Sequence, residues 1–380
     1  MRTPGTSTRK IRRLGWLARY CAPPLPTAAE HVAGFCMSDS PSIIQVGVIG
    51  CGHWGPNHVR VFSQLPGSRT LACADLDPRR IEAIRSLYPE VTGYADYREL
   101  LGREDIQAVV VAAPTRFHSA IVRDALNAGK HVLCEKPLCV EPADAAELTE
   151  LARSRGRILM VGHVFLFNAG IVKLKELLAL NAHGQLRYLR ATRTNLGPIR
   201  SDVNSVYDLA THDIAIFNWL LGSTPESVSA VGGRFLQATI EDVAFVSLRY
   251  PGNILANVLV SWLDPKKVRE IVVVGDRKMY VWDELAPAGP VSIYDKGVDR
   301  PQNYEDYGQF QLLTREGDLT IPKIKMEEPL KVQGRYFLQS IRSGALTMND
   351  GEFATGVVRV LEAIRRSLLA DGAMTPVPSA

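Results

Sequence analysis

Lys136 stands at the end of a strand-like run, His131-Val132-Leu133-Cys134-Glu135-Lys136-Pro137-Leu138. An ammonium in that position can hold a hydroxyl, polarise a carbonyl and stabilise a developing alkoxide. Pro137 fixes the backbone directly after it, a cis peptide bond being one way to do so, and Glu135 directly precedes it. Alone, Glu-Lys-Pro also reads as a solvated loop where charge is cheap. Farther along, "VYDLATHDIAIFNWLLG" places Asp208 and His212 four residues apart. On one helix that spacing sets both on a single face, at the rim of the apolar face made by Leu209, Ile216 and Leu220. Histidine exchanges protons near neutral pH, and a neighbouring carboxylate can orient it. The same pair also reads as an ordinary structural contact along a helix. No third ligand stands at metal-site spacing, so no metal centre is expected.

A second group of residues has the pattern of a nucleotide cradle. Gly50-Cys51-Gly52-His53-Trp54-Gly55 follows the strand-like "VGVIG" directly. In such a turn one glycine allows the tight bend, the next lets a pyrophosphate reach backbone N–H groups, and the third lets helix and strand approach. A second strand ends at Asp75, twenty residues after Gly55, where a carboxylate can accept from adenosine ribose hydroxyls. Asp75 favours NAD over NADP by repelling a 2′-phosphate; Arg79 and Arg80, which also read as helix-surface residues, soften that preference. Pro114 and Thr115 follow the strand "IQAVVVAA", with His118 three residues on. Thr115 has the chemistry to bond cofactor or substrate, while His118 reads equally as a residue that begins a helix.

These residues need elements that deliver them to one crevice. From Ile43 to about Gly162 the chain alternates short, almost continuously apolar runs with amphipathic stretches. "IIQVGVIG", "TLACAD", "IQAVVVAAP", "HVLCEKP" and "RILMVG" read as strands covered on both faces. The alternation predicts an α/β fold, a Rossmann-type doubly wound parallel sheet whose strand ends line the ligand crevice. After Gly162 a helix, a strand and a helix ending at Gly222 precede long strand-like segments joined by "YPGN" and "GDRK". Those turns predict an α+β domain with a large, mainly antiparallel open sheet. The expected division is an N-terminal extension (1–42), a dinucleotide-binding domain (43–162) and a substrate and oligomerisation domain (163–380). A closing helix, Gly351–Ala370, carries an apolar stripe through Val357, Val360, Leu361, Ile364 and Leu368 that reads as packing.

Bulk properties narrow the classes. The chain has 380 residues, 46% hydrophobic and 22% charged, as in a globular protein of two domains. Its formal charge is +4, but residues 1–36 alone hold six basic side chains and one acidic one. The remainder is therefore near −1, with no basic surplus for nucleic acid. The Arg-rich, acid-poor start reads either as a targeting peptide or as sequence upstream of a start at Met37. No apolar run reaches the roughly 20 residues of a membrane span. The six cysteines (21, 36, 51, 73, 134 and 139) show no metal spacing and read as small core residues in a reducing, cytoplasmic setting. Long apolar strands with too few helices to cover both sheet faces predict a homodimer or homotetramer.

Taken in order, the glycine turn, Asp75, the Pro114–His118 loop, Glu135-Lys136-Pro137, Gly162-His163, Asp208 and His212 resemble the Gfo/Idh/MocA family across about residues 43–370. The resemblance implies an enzyme that uses NAD, or NADP, to oxidise or reduce a hydroxyl-bearing carbon of a sugar, inositol or nucleotide sugar. It implies that Lys136 is the catalytic lysine, His212 the proton-transferring residue and Asp208 its partner, with Glu135 and Lys136 also beside the cofactor. "GHWGPNHVRVF", "VGHVFLFN", "RTNLG" and "YDLATHDI" look closest to the branch of UDP-N-acetylglucosamine 3-dehydrogenases. On that basis His163, Asn168, Asn195 and Arg200 are placed near substrate, Arg200 as a partner for a diphosphate. Many relatives carry an arginine after the Gly-His pair, where this chain has Val164, Phe165, Leu166 and Phe167. Two other readings stand beside this one: an inositol or free-sugar dehydrogenase or NAD-dependent glycosidase on the same fold, and a non-catalytic NAD-bound sensor or scaffold.

Overall fold

The computed structural model describes residues 42–299, 313–346 and 348–378; the expected N-terminal extension lies outside them, apart from residue 42. The first sheet is built from β1 (Ile44–Ile49), β2 (Ser68–Ala74), β3 (Thr92–Tyr94), β4 (Ala108–Val111), β5 (His131–Glu135) and β6 (Leu159–Gly162). Its order is β3-β2-β1-β4-β5-β6 and all neighbours are parallel. Helices α1 (Gly55–Gln64), α2 (Pro78–Leu87), α3 (Tyr97–Leu101), α4 (His118–Asn127) and α5 (Pro142–Ser154) connect the strands. Every residue of β4 and β6 is buried, the signature of strands covered on both faces. Chain order reverses between β1 and β4, so the loops leaving them diverge and open a crevice at the strand ends. The short β3 and α3 carry too few periodic residues to have been read from the sequence.

The second sheet follows α6 (Ala169–Ala179). Its first strand is β7 (Leu186–Leu196), followed by α7 (Thr211–Leu221), which ends in left-handed Gly222 as the C-cap reading required. Then come β8 (Ser227–Gly233), β9 (Val243–Tyr250), β10 (Ile254–Ser261), β11 (Leu263–Gly275), β12 (Met279–Asp283) and β13 (Val291–Tyr294). A small ribbon of β14 (Gly297–Asp299) and β15 (Leu313–Arg315) stands apart, and β16 (Leu319–Thr320) rejoins the sheet edge. After α8 (Pro329–Ser343) and α9 (Gly351–Leu369), β17 (Thr375–Pro376) closes the far edge. The order is β16-β13-β12-β11-β7-β10-β9-β8-β17. Every pair is antiparallel except β7 with β10, a long-range match that no local turn specifies.

On β9, Ala244, Val246, Leu248 and Tyr250 point inward while Phe245, Ser247 and Arg249 are exposed. The inward side packs on α6 and α7 through Ile171, Leu174, Ile214 and Phe217. α9 serves both cores. Val357, Leu361 and Ile364 pack with the second sheet, while Ala354 and Val358 join the first domain's core. α8 returns wholly to the first domain, where Leu330, Phe337 and Leu338 share a core with Phe62 and Leu65 of α1. The chain past residue 162 therefore does more than build the second sheet: its last helices complete the first. The cysteines among the described residues, Cys51, Cys73, Cys134 and Cys139, are buried and free, and no described helix is long and apolar enough to cross a membrane.

Candidate active site

The glycine turn leaves β1 at Gly50, where φ is +93° and an added Cβ would lie 2.6 Å from the Ala112 carbonyl carbon. At Gly55 a Cβ would meet the Gly50 carbonyl oxygen at 2.1 Å, so the first turn of α1 presses onto the bend. Gly52 differs: a Cβ there would have only Arg80 Nη1 nearby, at 3.7 Å. The space beside Gly52 is open, and α1 begins with Trp54 as N-cap and no side-chain cap. Uncapped helix N–H groups beside an open glycine suit the pyrophosphate of a dinucleotide. His53 and exposed Trp54 stack edge to face at 5.6 Å on the rim of the turn.

Asp75 stands one residue past the end of β2, where the sequence reading ended the strand at Asp75 itself, with its carboxylate turned back onto the turn. Oδ2 accepts from Cys51 N at 2.7 Å, and Oδ1 from Asp77 N at 2.9 Å. Arg79 and Arg80 separate sharply. Arg79 forms a fork on Asp77, away from the turn, whereas Arg80 Nη1 lies 3.6 Å from Asp75 Oδ2. Arg80 thus does more than cover the helix surface: it stands beside Gly52 and the Asp75 carboxylate.

His118, read either as a cofactor-side residue or as one that begins a helix, begins α4. Its ring is buried between two main-chain acceptors, with Nε2 2.7 Å from the Ala113 carbonyl oxygen and Nδ1 2.9 Å from that of Pro137. Burial holds the imidazole below the ordinary histidine range, so in its neutral form it donates to one carbonyl at a time, between the loop after β4 and the loop after β5. Thr115, one turn earlier, is buried at the start of a short 3-10 helix that Pro114 leads into.

Glu135 and Lys136 sit at the end of β5, and the Lys136–Pro137 peptide is cis. Glu135 is buried, with Oε1 2.7 Å from Nε2 of His58 on α1 and Oε2 accepting from Lys136 N at 3.3 Å. Burial alone would raise this carboxyl, but the His58 imidazole and the Lys136 ammonium bring it below the usual carboxylate range. His58 went unnoticed in the sequence; its signal was a titratable residue three positions past Gly55, on the face of α1 that also carries Val59 and Phe62.

The Lys136 ammonium donates to the main-chain oxygen of Asp208 at 2.6 Å and lies 3.5 Å from its carboxylate. Burial pulls Lys136 below the ordinary lysine value, and the Asp208 and Glu135 carboxylates pull it back up. Asp208 is not the partner of His212. Residues Val206–Ala210 form a π-helical turn ahead of α7, so the register assumed for one continuous α-helix is broken between the two residues. The Asp208 carboxylate is instead shared among Lys136, Arg200 Nη1 at 3.1 Å and the indole N–H of Trp262 at 3.2 Å.

His212 is buried, and its Nδ1 has no hydrogen-bond partner among the described residues. Burial first, then the charges of Lys136 and Arg193, hold its imidazole well below the ordinary histidine range. His163 is also buried, with neither nitrogen partnered among the described residues, and burial and Lys136 push it down to about 3. A neutral imidazole can accept a proton, which an imidazolium cannot.

The remaining substrate candidates diverge. Arg200 is close, and its guanidinium is divided between Asp202 and Asp208, which offset its charge. Asn168 is spent as N-cap of α6: Oδ1 accepts from Gly170 N and Ile171 N and from the Trp282 indole. Asn195, at the end of β7, donates to the Gly197 carbonyl within its own loop. Two further residues escaped the sequence reading. Arg193 and Asp213 form a buried fork, Nε to Oδ2 at 2.9 Å and Nη2 to Oδ1 at 2.8 Å. Their signal was an arginine at an inward position of a strand and an acid within an apolar helix, each demanding a partner.

Comparison with known proteins agrees with this architecture. Residues 44–163 match the model described as an oxidoreductase family with an NAD-binding Rossmann fold, and residues 171–281 match the Gfo/Idh/MocA C-terminal domain. An inositol 2-dehydrogenase from Burkholderia multivorans is 33% identical over 50% of this chain and 57% of its own length. The chain thus spans little more than half of that relative. The structure of an oxidoreductase from Magnetospirillum magnetotacticum is 26% identical with a TM-score of 0.71, covering 85% of this chain and 99% of its own. The UDP-N-acetylglucosamine 3-dehydrogenase GnnA from Acidithiobacillus ferrooxidans shares the fold, with a TM-score of 0.71 at 23% identity over 86% of this chain and 98% of its own. With both characteristic domains matched in order, the chain belongs to the Gfo/Idh/MocA family of oxidoreductases.

Proposed function

We propose that this protein is an NAD-dependent dehydrogenase acting on a secondary alcohol carbon of a sugar or cyclic polyol. The observation that carries the reading is Lys136, a buried ammonium held by Asp208 at the end of β5, near a buried His212 whose Nδ1 has no partner among the described residues. Bound nicotinamide supplies the hydride acceptor. The Gly50–Gly55 turn and the N-terminus of α1 hold the pyrophosphate, and Asp75 addresses the adenosine ribose. Lys136 donates to the reacting hydroxyl and stabilises the alkoxide as it forms. His212, neutral in its cationic surroundings, takes the hydroxyl proton. Glu135 and His58 hold the backbone of Lys136 from beneath.

Within that class the lead substrate is a nucleotide sugar oxidised as by UDP-N-acetylglucosamine 3-dehydrogenases, a reading supported by "GHWGPNHVRVF", "RTNLG" and "YDLATHDI". A second reading, an inositol or free-sugar dehydrogenase, is favoured by the carboxylates that neutralise Arg200 and by the inositol 2-dehydrogenase relative. Incubation with NAD and a panel of UDP-sugars, inositols and free sugars distinguishes them. NADH accumulating with UDP-sugars supports the first, and turnover confined to inositol or free sugars supports the second. NAD retained with no turnover on any of them overturns both in favour of a sensor.

We also infer that a second copy covers the outer face of the large sheet. Tyr188 and Leu255 are paired neighbours there, as are Phe245 and Val231, and all four are about half exposed. That surface belongs to β7–β10, away from the helices that cover the inner face.

A further inference from the structure

His212 lacks the carboxylate expected to orient it, since Asp208 is committed to Lys136, Arg200 and Trp262. What touches the imidazole instead is the ring of Phe165, edge to face at 4.8 Å between centroids. Phe165 is in turn gripped from several sides. The Arg193 guanidinium lies 4.3 Å from its centroid and that of Arg269 lies at 5.6 Å, while Trp282 meets it edge to face at 6.1 Å. Arg193 cannot drift, because Asp213 holds it by two parallel hydrogen bonds where both side chains are nearly inaccessible.

We propose that Phe165, clamped by the Arg193–Asp213 pair, is the positioning group for His212, an aromatic–cation stack in the place of a carboxylate. The proposal rests on the reading of His212 as the proton-transferring residue. Its chemistry differs from that of a carboxylate partner. A carboxylate raises the proton affinity of an imidazole, whereas an aromatic edge fixes the ring and leaves its charge preference to the surroundings. The charged and titratable groups around His212 are Lys136 after β5, His163 after β6, Arg193 on β7, Arg269 on β11 and Asp213 on α7. Cations predominate among them, and Asp213 is saturated by Arg193. The stack therefore holds a neutral ring in place, as a base that accepts a hydroxyl proton requires. Asp213 follows His212 directly on α7, so the clamp and the base share one rigid element.

The test is Phe165→Leu, a change at a half-buried position that keeps apolar volume, compared with Phe165→Tyr, which keeps the ring. Two readouts are taken on the NAD-bound protein: turnover with a substrate identified by the panel above, and the titration of His212 followed by 15N imidazole NMR. Phe165→Leu is expected to lower kcat about tenfold or more through misplacement of the base, with NAD affinity unchanged. The His212 midpoint is expected to rise as water reaches the ring, and Phe165→Tyr is expected to restore both. Arg193→Met combined with Asp213→Leu removes the two charges together, leaves no unpaired ion buried, and should also raise the midpoint. Turnover within about twofold of wild type in Phe165→Leu, given the steep dependence of rate on placement, or an unchanged His212 titration overturns the proposal. Full activity in His212→Ala would instead remove the functional reading beneath it, so the two failures are distinguishable.

Discussion

Lys136 reaches out of the first domain and donates to the main-chain oxygen of Asp208 at 2.6 Å, so one hydrogen bond joins the end of β5 to the π-turn before α7. Lys136 and the segment that leads into His212 are thereby fixed to each other. If the ammonium holds substrate and His212 takes the proton, Lys136→Ala and His212→Ala should each lower kcat/KM by about 10²- to 10⁴-fold. Neither side chain belongs to the glycine turn, so NAD affinity, measured by fluorescence titration, should change little. Near-wild-type turnover in either variant would sink the assignment.

The buried His58–Glu135 contact predicts a coupled loss of stability. His58→Ala removes the side-chain partner of Glu135 and leaves the buried carboxylate with the Lys136 N–H and ammonium alone, at a cost of about 3 kcal/mol. Glu135→Ala should cost a similar amount. The double variant should be less destabilised than the sum of the two, because each single change already removes the shared contact. Urea unfolding of all four proteins measures the coupling; strict additivity would show that the 2.7 Å contact contributes nothing.

Much of this arrangement was legible in the sequence because it is local. The glycine turn, the strand ending at Asp75 and Glu135-Lys136-Pro137 each lie within a few residues of the strand that delivers them, and hydrophobic periodicity finds such strands. The His212 environment was not legible. Phe165 touches its ring, and the charges of Lys136 and Arg193 act on it from the ends of distant strands, an arrangement that no local spacing reveals. A helical wheel drawn at 100° per residue put Asp208 beside His212, and the extra residue in that turn undid the wheel. Asn168 was legible only in part for a related reason: a polar residue before an apolar helix reads as a ligand or a cap, and only the Trp282 and Gly170 contacts show that its Oδ1 caps α6.

Cofactor choice should depend on Asp75 and Arg80 in opposite senses. Asp75→Ala removes the carboxylate that repels a 2′-phosphate and the acceptor for Cys51 N, so NAD binding should weaken while NADP gains relative to it. Arg80→Ala removes the guanidinium over the turn and should weaken NADP with little effect on NAD. Binding titrations with both dinucleotides give the ratio directly. An unchanged ratio in Asp75→Ala would mean that the carboxylate serves the turn alone.

The open face of the large sheet predicts self-association that charge can break. Leu255→Glu combined with Phe245→Glu places two carboxylates among Tyr188, Val231 and Leu259, on strands otherwise free to fold. Light scattering after size exclusion should show a smaller particle than wild type, with an unchanged circular dichroism spectrum. A wild-type protein that is already monomeric at micromolar concentration would contradict the inference.

The buried histidines predict lability to acid with a defined sign. His163 titrates at about 3 in the folded protein, against about 6.5 for an ordinary histidine. Between those values the unfolded chain binds the proton and the folded one does not, so stability is fully present above pH 6.5 and is lost as pH falls toward 3. His212 and His118 are depressed in the same direction, chiefly by burial. Replacing His163 by phenylalanine keeps a ring against Phe353, 5.8 Å away, and removes one titrating group. Between pH 7.5 and 4.5 wild type should lose on the order of 2–3 kcal/mol more than His163→Phe in urea unfolding. Parallel losses in the two proteins would place the acid sensitivity elsewhere, in His212, His118 or the paired carboxylates.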